Sequence, residues 1–308
     1  MLKQIEGNFS LFIALGFLAG LALPGVSKAL EPYILYFLVG IMFLTMLKIE
    51  NKDLGDTASQ PLYIIYLALI VLIVSPMLQF ATAKMIYPSV AASVLIVGGL
   101  PSAMSSTSIT DLLRGNVHVA LLITVITSLL APFTMPFLIE LFIGVETQAS
   151  FMDMVVMLAK VVFVPFILSL SVKRALPELV RRTSKSYALI NIFLLFLIIM
   201  AIIGSYSEYM LEDAAKTLKM AGFFFILALM MHIIGWYASF WRPLGDRVAS
   251  ATVVFYCNIS LGVVFADKFF PPMVVLGVVL YNIPWSTMPV PFHYIVKRME
   301  RNNKPYSK

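Results

Sequence analysis

Two glycines, a proline and a run of hydroxyl side chains interrupt a stretch that would otherwise cross a lipid bilayer. The interruption is Gly98-Gly99-Leu100-Pro101-Ser102-Ala103-Met104-Ser105-Ser106-Thr107-Ser108-Ile109-Thr110. An apolar run, Ser89 to Val97, precedes it, and a longer one, Val117 to Ile143, follows. Backbone that leaves the helix inside hydrocarbon strands its amides and carbonyls, at several kcal/mol each. Such a break survives only where protein or a wet cavity lines it. Half-helix ends at such a place bind solutes and ions.

The rest of the chain agrees with a membrane setting. Of 308 residues, 60% are hydrophobic and 12% are charged, and the mean hydropathy is +0.94. A soluble domain carries about 25% charged residues. The sequence therefore predicts an all-α integral membrane protein. The single cysteine, Cys257, excludes an internal disulfide and a cysteine-rich metal site. No Gly-rich phosphate loop, HExxH or CxxC pattern occurs, so no cofactor is expected and any driving force must be a gradient. Embedded carboxylates are few and the three histidines are scattered, which argues against an enzyme.

A span needs about 20 apolar residues. Ten segments qualify: 9–28, 32–48, 61–83, 89–113, 117–143, 151–172, 187–206, 217–240, 247–266 and 272–296, the fourth and ninth being broken. The first is short enough to imitate a signal peptide, and reads here as a span. Placing both termini in the cytoplasm puts Lys3, Lys48, Lys52, Arg114, Lys173, Arg174, Arg181, Arg182, Lys185, Arg242, Arg247, Lys297, Arg298, Arg301, Lys304 and Lys308 inside. Only Lys28, Lys84, Lys216, Lys219 and Lys268 are then outside. That asymmetry predicts N-in, C-in orientation, in a bacterial inner membrane. The surplus of 22 Lys and Arg over 16 Asp and Glu is therefore a topology signal and not a nucleic-acid surface. The basic connection 173–186 reads the same way, with anionic-lipid contact as the sharper alternative.

Ten spans divide into five plus five, 1–145 and 146–308, and an odd number per half inverts one half against the other. Span four and span nine are each the fourth of their half, and both are broken. Paired breaks in inverted halves point to a site between them. The second break, Val253 to Gly262, brings Asn258 and Ser260 to mid-span. Ser105, Ser106, Thr107 and Asn258 are the candidates to orient a substrate or cation. Interhelical hydrogen bonding, worth about 0.6 kcal/mol each, is the plainer reading of Asn258 and Ser260. Lys160 lies within span six, roughly 15 Å from its outer end at 1.5 Å per residue. It either snorkels outward or places a charge in a cavity. His232, inside span eight, is a second candidate cavity charge, against the plainer reading of a neutral, helix-bonded imidazole. Asp111 and Arg114 are spaced to pair along one helix.

The run Thr110-Asp111-Leu112-Leu113-Arg114-Gly115-Asn116-Val117, with the Ser/Thr cluster before it and Asn258-Ile259-Ser260 later, resembles the bile acid:sodium symporter family. That family belongs to a wider group with arsenite and auxin carriers. The resemblance implies a panel domain (spans 1, 2, 6, 7) moving against a core domain (spans 3–5, 8–10), with spans four and nine crossing in the core. It implies organic anions as substrates and sodium as the coupling ion. It places Thr110 and Asn116 in the site region. It carries the family's sodium ligands to Ser106 and Thr107 on span four and to Ala120 and Thr124 on span five. The acidic position falls near Val253, and the two glutamine positions on Cys257 and near Val71.

Sodium wants several hard oxygen donors, and a carboxylate supplies much of the attraction. Ala120, Val253, Cys257 and Val71 supply none from their side chains. The leading expectation is thus a secondary transporter of a small organic anion, working by alternating access, with no sodium coupling through the full family set. The alternative is a sodium-coupled symporter of bile-acid-like substrates with Ser106, Thr107 and Thr124 as ligands, then a passive channel. A proton is the other candidate coupling ion. The expected partners are the substrate and the lipid bilayer, with no nucleic acid.

Overall fold

The computed structural model describes residues 9–47, 60–144 and 150–302. Lys3, Lys48, Lys52, Lys304, Lys308 and the expected 145/146 repeat boundary lie outside them. The described residues are helical, with no strand beyond one isolated bridge. Among the described residues, seven helices are long and apolar enough to cross a membrane: Pro24–Leu47, Pro61–Ile86, Val117–Phe142, Phe151–Ala175, Pro177–Glu208, Ala214–Ala238 and Pro272–Met299. Segments 9–28, 89–113 and 247–266 form shorter helices.

The chain begins with α1 (Phe9–Ala22), α2 (Pro24–Leu30) and α3 (Ile34–Leu47). The expected first span, 9–28, is divided at Leu23. That residue sits at φ −128°, ψ 58°, because the following Pro24 crowds it out of the helical region. Pro24 then starts α2, which runs through one 3₁₀ turn into α3. The next long helix is α4 (Pro61–Leu69), a π turn at Ile70–Val74, and α5 (Ser75–Ile86). Then come the half-helices α6 (Ala91–Gly99) and α7 (Met104–Leu112), followed by α8 (Val117–Phe142).

The second part holds α9 (Phe151–Ala175), α10 (Pro177–Glu212), α11 (Ala214–Ala238), α12 (Leu244–Phe255) and α13 (Ile259–Phe269). It ends with α14 (Pro272–Leu280), α15 (Asn282–Thr287) and α16 (Pro289–Asn302). The expected connection 173–186 is not a loop. Only Leu176 leaves helical geometry, and Pro177 opens a 36-residue helix. Glu178 in its first turn holds Arg181 and Arg182, each at 2.9 Å, so polar residues extend α10 beyond the apolar run. The expected connection 207–216 likewise contracts to a turn at Asp213, whose carboxylate accepts from the Lys216 amide at 2.8 Å.

In lipid, helix association rests on close packing, so small residues mark the tightest approaches. A Cβ on Gly235 of α11 would lie 2.6 Å from Ala251 Cα of α12. One on Gly277 of α14 would lie 2.3 Å from Ser93 Oγ of α6. Each half-helix thus lies directly against a neighbouring helix. Elsewhere α10 lies along α1, α2 and α3, and α9 lies along α3 and α8. The crossing of the broken helices is deeply buried: Ile96, Phe255, Tyr256 and Leu261 are wholly enclosed.

Candidate functional site

α6 ends at Leu100 (φ −67°, ψ 146°), and the chain stays extended to Ala103 (φ −83°, ψ 154°), where α7 begins. α12 ends at Tyr256 (φ −82°, ψ 85°), and α13 begins after Asn258. The two unwound segments pair as an antiparallel bridge between Ser102 and Cys257. Ala103 N donates to Tyr256 O and Asn258 N to Pro101 O, both at 2.8 Å.

Most backbone groups freed by the breaks find partners, as buried amides and carbonyls must. Ser102 Oγ donates to Val253 O at 2.6 Å, and Thr127 Oγ1 accepts from Ser102 N at 3.2 Å. Tyr281 OH donates to Phe255 O at 3.2 Å, and Trp285 Nε1 to Cys257 O at 3.1 Å. These four side chains hold the crossing. Sequence reading missed them in this role, because a hydroxyl or indole aimed at a distant carbonyl leaves no local pattern.

The predicted site residues divide by what they touch. Ser106 Oγ donates to Ala103 O at 2.7 Å and lies 3.3 Å from Thr124 Oγ1. Thr124 Oγ1 also donates to Ala120 O at 2.8 Å, and lies 3.5 Å from Ala103 O. Thr107 Oγ1 is sealed from solvent and has no partner. Hydroxyl and carbonyl oxygens of Ala103, Ser106 and Thr124 therefore gather at the start of α7. Thr110 Oγ1 donates to Ser106 O at 2.7 Å and is hydrogen-bonded to Thr252 of α12. Asn258 caps α13, its Oδ1 accepting from Leu261 N at 3.3 Å. Ser105 and Ser260 make no side-chain hydrogen bond among the described residues. Each is the second residue of a half-helix that starts at the crossing.

The model of the Sodium Bile acid symporter family matches residues 35–213. The chain belongs to that family. It is 23% identical over 289 residues to an "Uncharacterized sodium-dependent transporter YocS" of Bacillus subtilis, covering 91% of this chain and 88% of that protein. It is 23% identical over 272 residues to a "Probable sodium/metabolite cotransporter BASS2, chloroplastic" of Oryza sativa subsp. japonica, covering 85% and 63%. A third relative, "Uncharacterized protein YbaS" of Bacillus subtilis, is 22% identical over 296 residues, covering 94% and 95%. The family member described here is accordingly an integral membrane transport protein.

Asn116, Arg114 and Lys160 stand away from the crossing, whereas His232 packs on its aromatic residues. Asn116 caps α8, accepting from Val119 N at 3.3 Å and donating from Nδ2 to Asp246 at 2.8 Å. Asp246 also accepts from Arg242 at 2.7 Å, so Asn116 belongs to a polar tie between α8 and α12. Arg114 does not pair with Asp111. It takes the left-handed turn (φ 56°) that closes α7, with Arg114 N bonded to Asp111 O and Gly115 N to Thr110 O. Lys160 is exposed on the α9 face that it shares with Met152, Val156, Val164 and Ile167. His232 is buried: Nδ1 donates to Ala228 O at 2.8 Å, and the rings of Phe255, Phe292 and Tyr256 surround it at 4.2, 4.6 and 5.7 Å.

One buried polar side chain was passed over. The resemblance puts a glutamine position near Val71, and the glutamine within this helix is Gln79. It is buried, donates to Ser75 Oγ at 3.1 Å, and leaves Oε1 unpartnered. It lies against Gly98, where a Cβ would approach its Nε2 to 2.9 Å. Among the described residues no group of three or more His, Cys, Asp or Glu is placed to hold a metal ion.

Proposed function

We propose that this chain is a secondary transporter that carries a small organic anion by alternating access, using the crossing of α6/α7 and α12/α13 as its site. One observation carries the reading: Ser105 and Ser260 occupy matching positions at two half-helix starts, and neither hydroxyl is spent on the protein. Helix N-termini favour anions through unpaired amides and the positive end of the helix dipole. A carboxylate between them would accept from both hydroxyls. Asn258 orients the second half-helix, and Thr110 locks the first to α12.

The proposal includes two inverted five-helix repeats, 1–145 and 146–308. The panel (spans 1, 2, 6 and 7) comprises α1–α3, α9 and α10, and the core (spans 3–5 and 8–10) carries the crossing. The packing of α10 on α1–α3 and of α9 on α3 supports treating them as one moving body. Orientation with both termini cytoplasmic, in a bacterial inner membrane, follows from the distribution of Lys and Arg.

Sodium symport is the second reading, favoured by the gathered oxygens of Ser106, Thr124 and Ala103 and by the unpartnered hydroxyl of the next residue, Thr107. That donor set is neutral. A hard cation among neutral oxygens lacks the attraction a carboxylate gives. The substrate's own carboxylate would supply it, so sodium and anion would bind together. Lys160 and His232 take no part in this scheme: one faces outward and the other is enclosed by aromatic rings.

The test is counterflow in proteoliposomes with a panel of labelled carboxylates. A carrier exchanges labelled for unlabelled solute and is trans-stimulated. Transport without trans-stimulation would indicate a channel, and no transport of any organic anion would sink the assignment.

A further inference from the structure

Arg247 is a half-buried cation whose charge the described protein does not answer. It stands in the first turn of α12, with its guanidinium carbon 4.4 Å over the Trp236 ring of α11. Its Nε is sealed from solvent and has no acceptor. No described carboxylate pairs with it. Asp246, the adjacent residue, already accepts from Arg242 and Asn116. Trp236 is fixed by Phe292 of α16 in an edge-on contact at 6.4 Å, and Val248 and Val296 complete the same cluster. The guanidinium is therefore stacked, positioned and only partly hydrated.

Burying a donor on a charged group without an acceptor is costly, so such a geometry calls for an anion from outside. A planar guanidinium stacked on an aromatic ring presents its remaining N–H groups as a fork suited to phosphate or carboxylate. The surroundings identify the source. Tyr237 on the last turn of α11, Phe240 and Trp241 just after it, and Tyr294 on α16 are exposed, as aromatic side chains are at a membrane–water interface. Lys297 and Arg298 follow Val296 on α16 and are exposed. Basic pockets between membrane helices at this depth take lipid headgroups. We infer that Arg247, at the junction of α11, α12 and α16, holds the phosphate of an anionic phospholipid. The lipid would bind at the membrane end of α12, the half-helix whose other end forms the crossing.

The test uses the full chain, purified and delipidated in neutral detergent. Thermal unfolding is followed with phosphatidylglycerol, phosphatidylcholine or inorganic phosphate added. Phosphatidylglycerol should raise the melting temperature by several degrees more than phosphatidylcholine. Arg247→Gln should abolish that difference. A double variant, Arg181→Gln with Arg182→Gln, removes two exposed guanidinium groups held by Glu178 and should keep it. Equal effects of the two lipids, or a preference that survives in Arg247→Gln, would overturn the proposal. So would full stabilisation by inorganic phosphate alone, which would mark a free-anion site. If Arg247→Gln fails to fold, the wild-type chain gives a second readout through its tryptophans. Brominated phosphatidylglycerol should quench them more strongly than brominated phosphatidylcholine at equal mole fraction, and equal quenching would overturn the proposal.

Discussion

The Ala103 amide donates to the Tyr256 carbonyl over 2.8 Å, joining two half-helices that are distant in sequence. The Asn258 amide returns the bond to Pro101 O at the same length. This reciprocal pair satisfies inside the protein what unwinding would leave bare. The crossing is thus a short two-stranded tie inside a helical protein. Its side chains fall into those that hold the tie and those that the tie leaves free.

That division predicts opposite phenotypes for neighbouring serines. Ser102→Ala removes a 2.6 Å bond to Val253 O and leaves a buried carbonyl short of a donor. It should cost about 1–3 kcal/mol of stability. Ser105→Ala and Ser260→Ala break no protein bond, so unfolding should be nearly unchanged. Each should weaken anion binding about tenfold or more, since a hydrogen bond to a charged group contributes about 1.5–3 kcal/mol. Thermal unfolding and carboxylate affinity measured on the same preparations separate the two effects. A destabilised Ser105→Ala with unaltered affinity would reverse the assignment.

The neutral oxygens of Ala103, Ser106 and Thr124 predict that sodium and substrate depend on each other. Sodium alone should barely move the melting temperature, and sodium with an organic anion should raise it beyond the anion in potassium. Thr107→Val and Thr124→Ala should remove the sodium-specific part. By linkage, the factor by which sodium tightens the anion must equal the factor by which the anion tightens sodium. Titrations of each in saturating amounts of the other check that equality. A strong sodium shift without any anion would mean that the protein supplies a negative group not identified here.

Much of this was legible in sequence because lipid imposes a simple grammar. The glycines and hydroxyls of 98–110 and the polar pair Asn258 and Ser260 marked both breaks, and seven of the ten expected spans match long apolar helices. Helix extent was less legible. The reading counted apolar residues, so it missed that Glu178, Arg181 and Arg182 support one another in continuing α10. It also let Pro24 pass as part of one span, although proline acts on the residue before it. Asn116 looked like a site residue because it stands in the family-like run, yet its side chain is spent on capping and on Asp246.

Lys160 lines up with Met152, Val156, Val164 and Ile167 on the exposed face of α9. An ammonium at that depth must reach outward along its stem. Lys160→Met should therefore leave carboxylate affinity unchanged within about twofold, a difference of about 0.4 kcal/mol. It should also raise stability in a bilayer, because a lysine at mid-depth costs about 2.5–3.5 kcal/mol. Uptake kinetics and unfolding in lipid nanodiscs test both halves. A loss of anion affinity would place the ammonium in the transport path after all.

Tyr206 of α10 donates to Asp267 Oδ1 of α13 at 2.7 Å, while the neighbouring Ser205 donates to Glu31 at 3.1 Å. In the proposed scheme α10 moves with the panel and α13 with the core. The Tyr206–Asp267 bond therefore spans the two bodies and must break whenever they separate at that end. A hydrogen bond to a carboxylate contributes about 1.5–3 kcal/mol, so Tyr206→Phe should shift the balance toward the separated state by roughly tenfold or more. The measurement is the labelling rate of a cysteine introduced at Ser105, in a Cys257→Ala background, by a membrane-impermeant thiol reagent added from the side that bears Asp267. Faster labelling in Tyr206→Phe is expected, and Asp267→Asn should act in the same direction because it weakens the same bond. If neither variant alters the rate while both transport normally, the bond does not close that side of the protein.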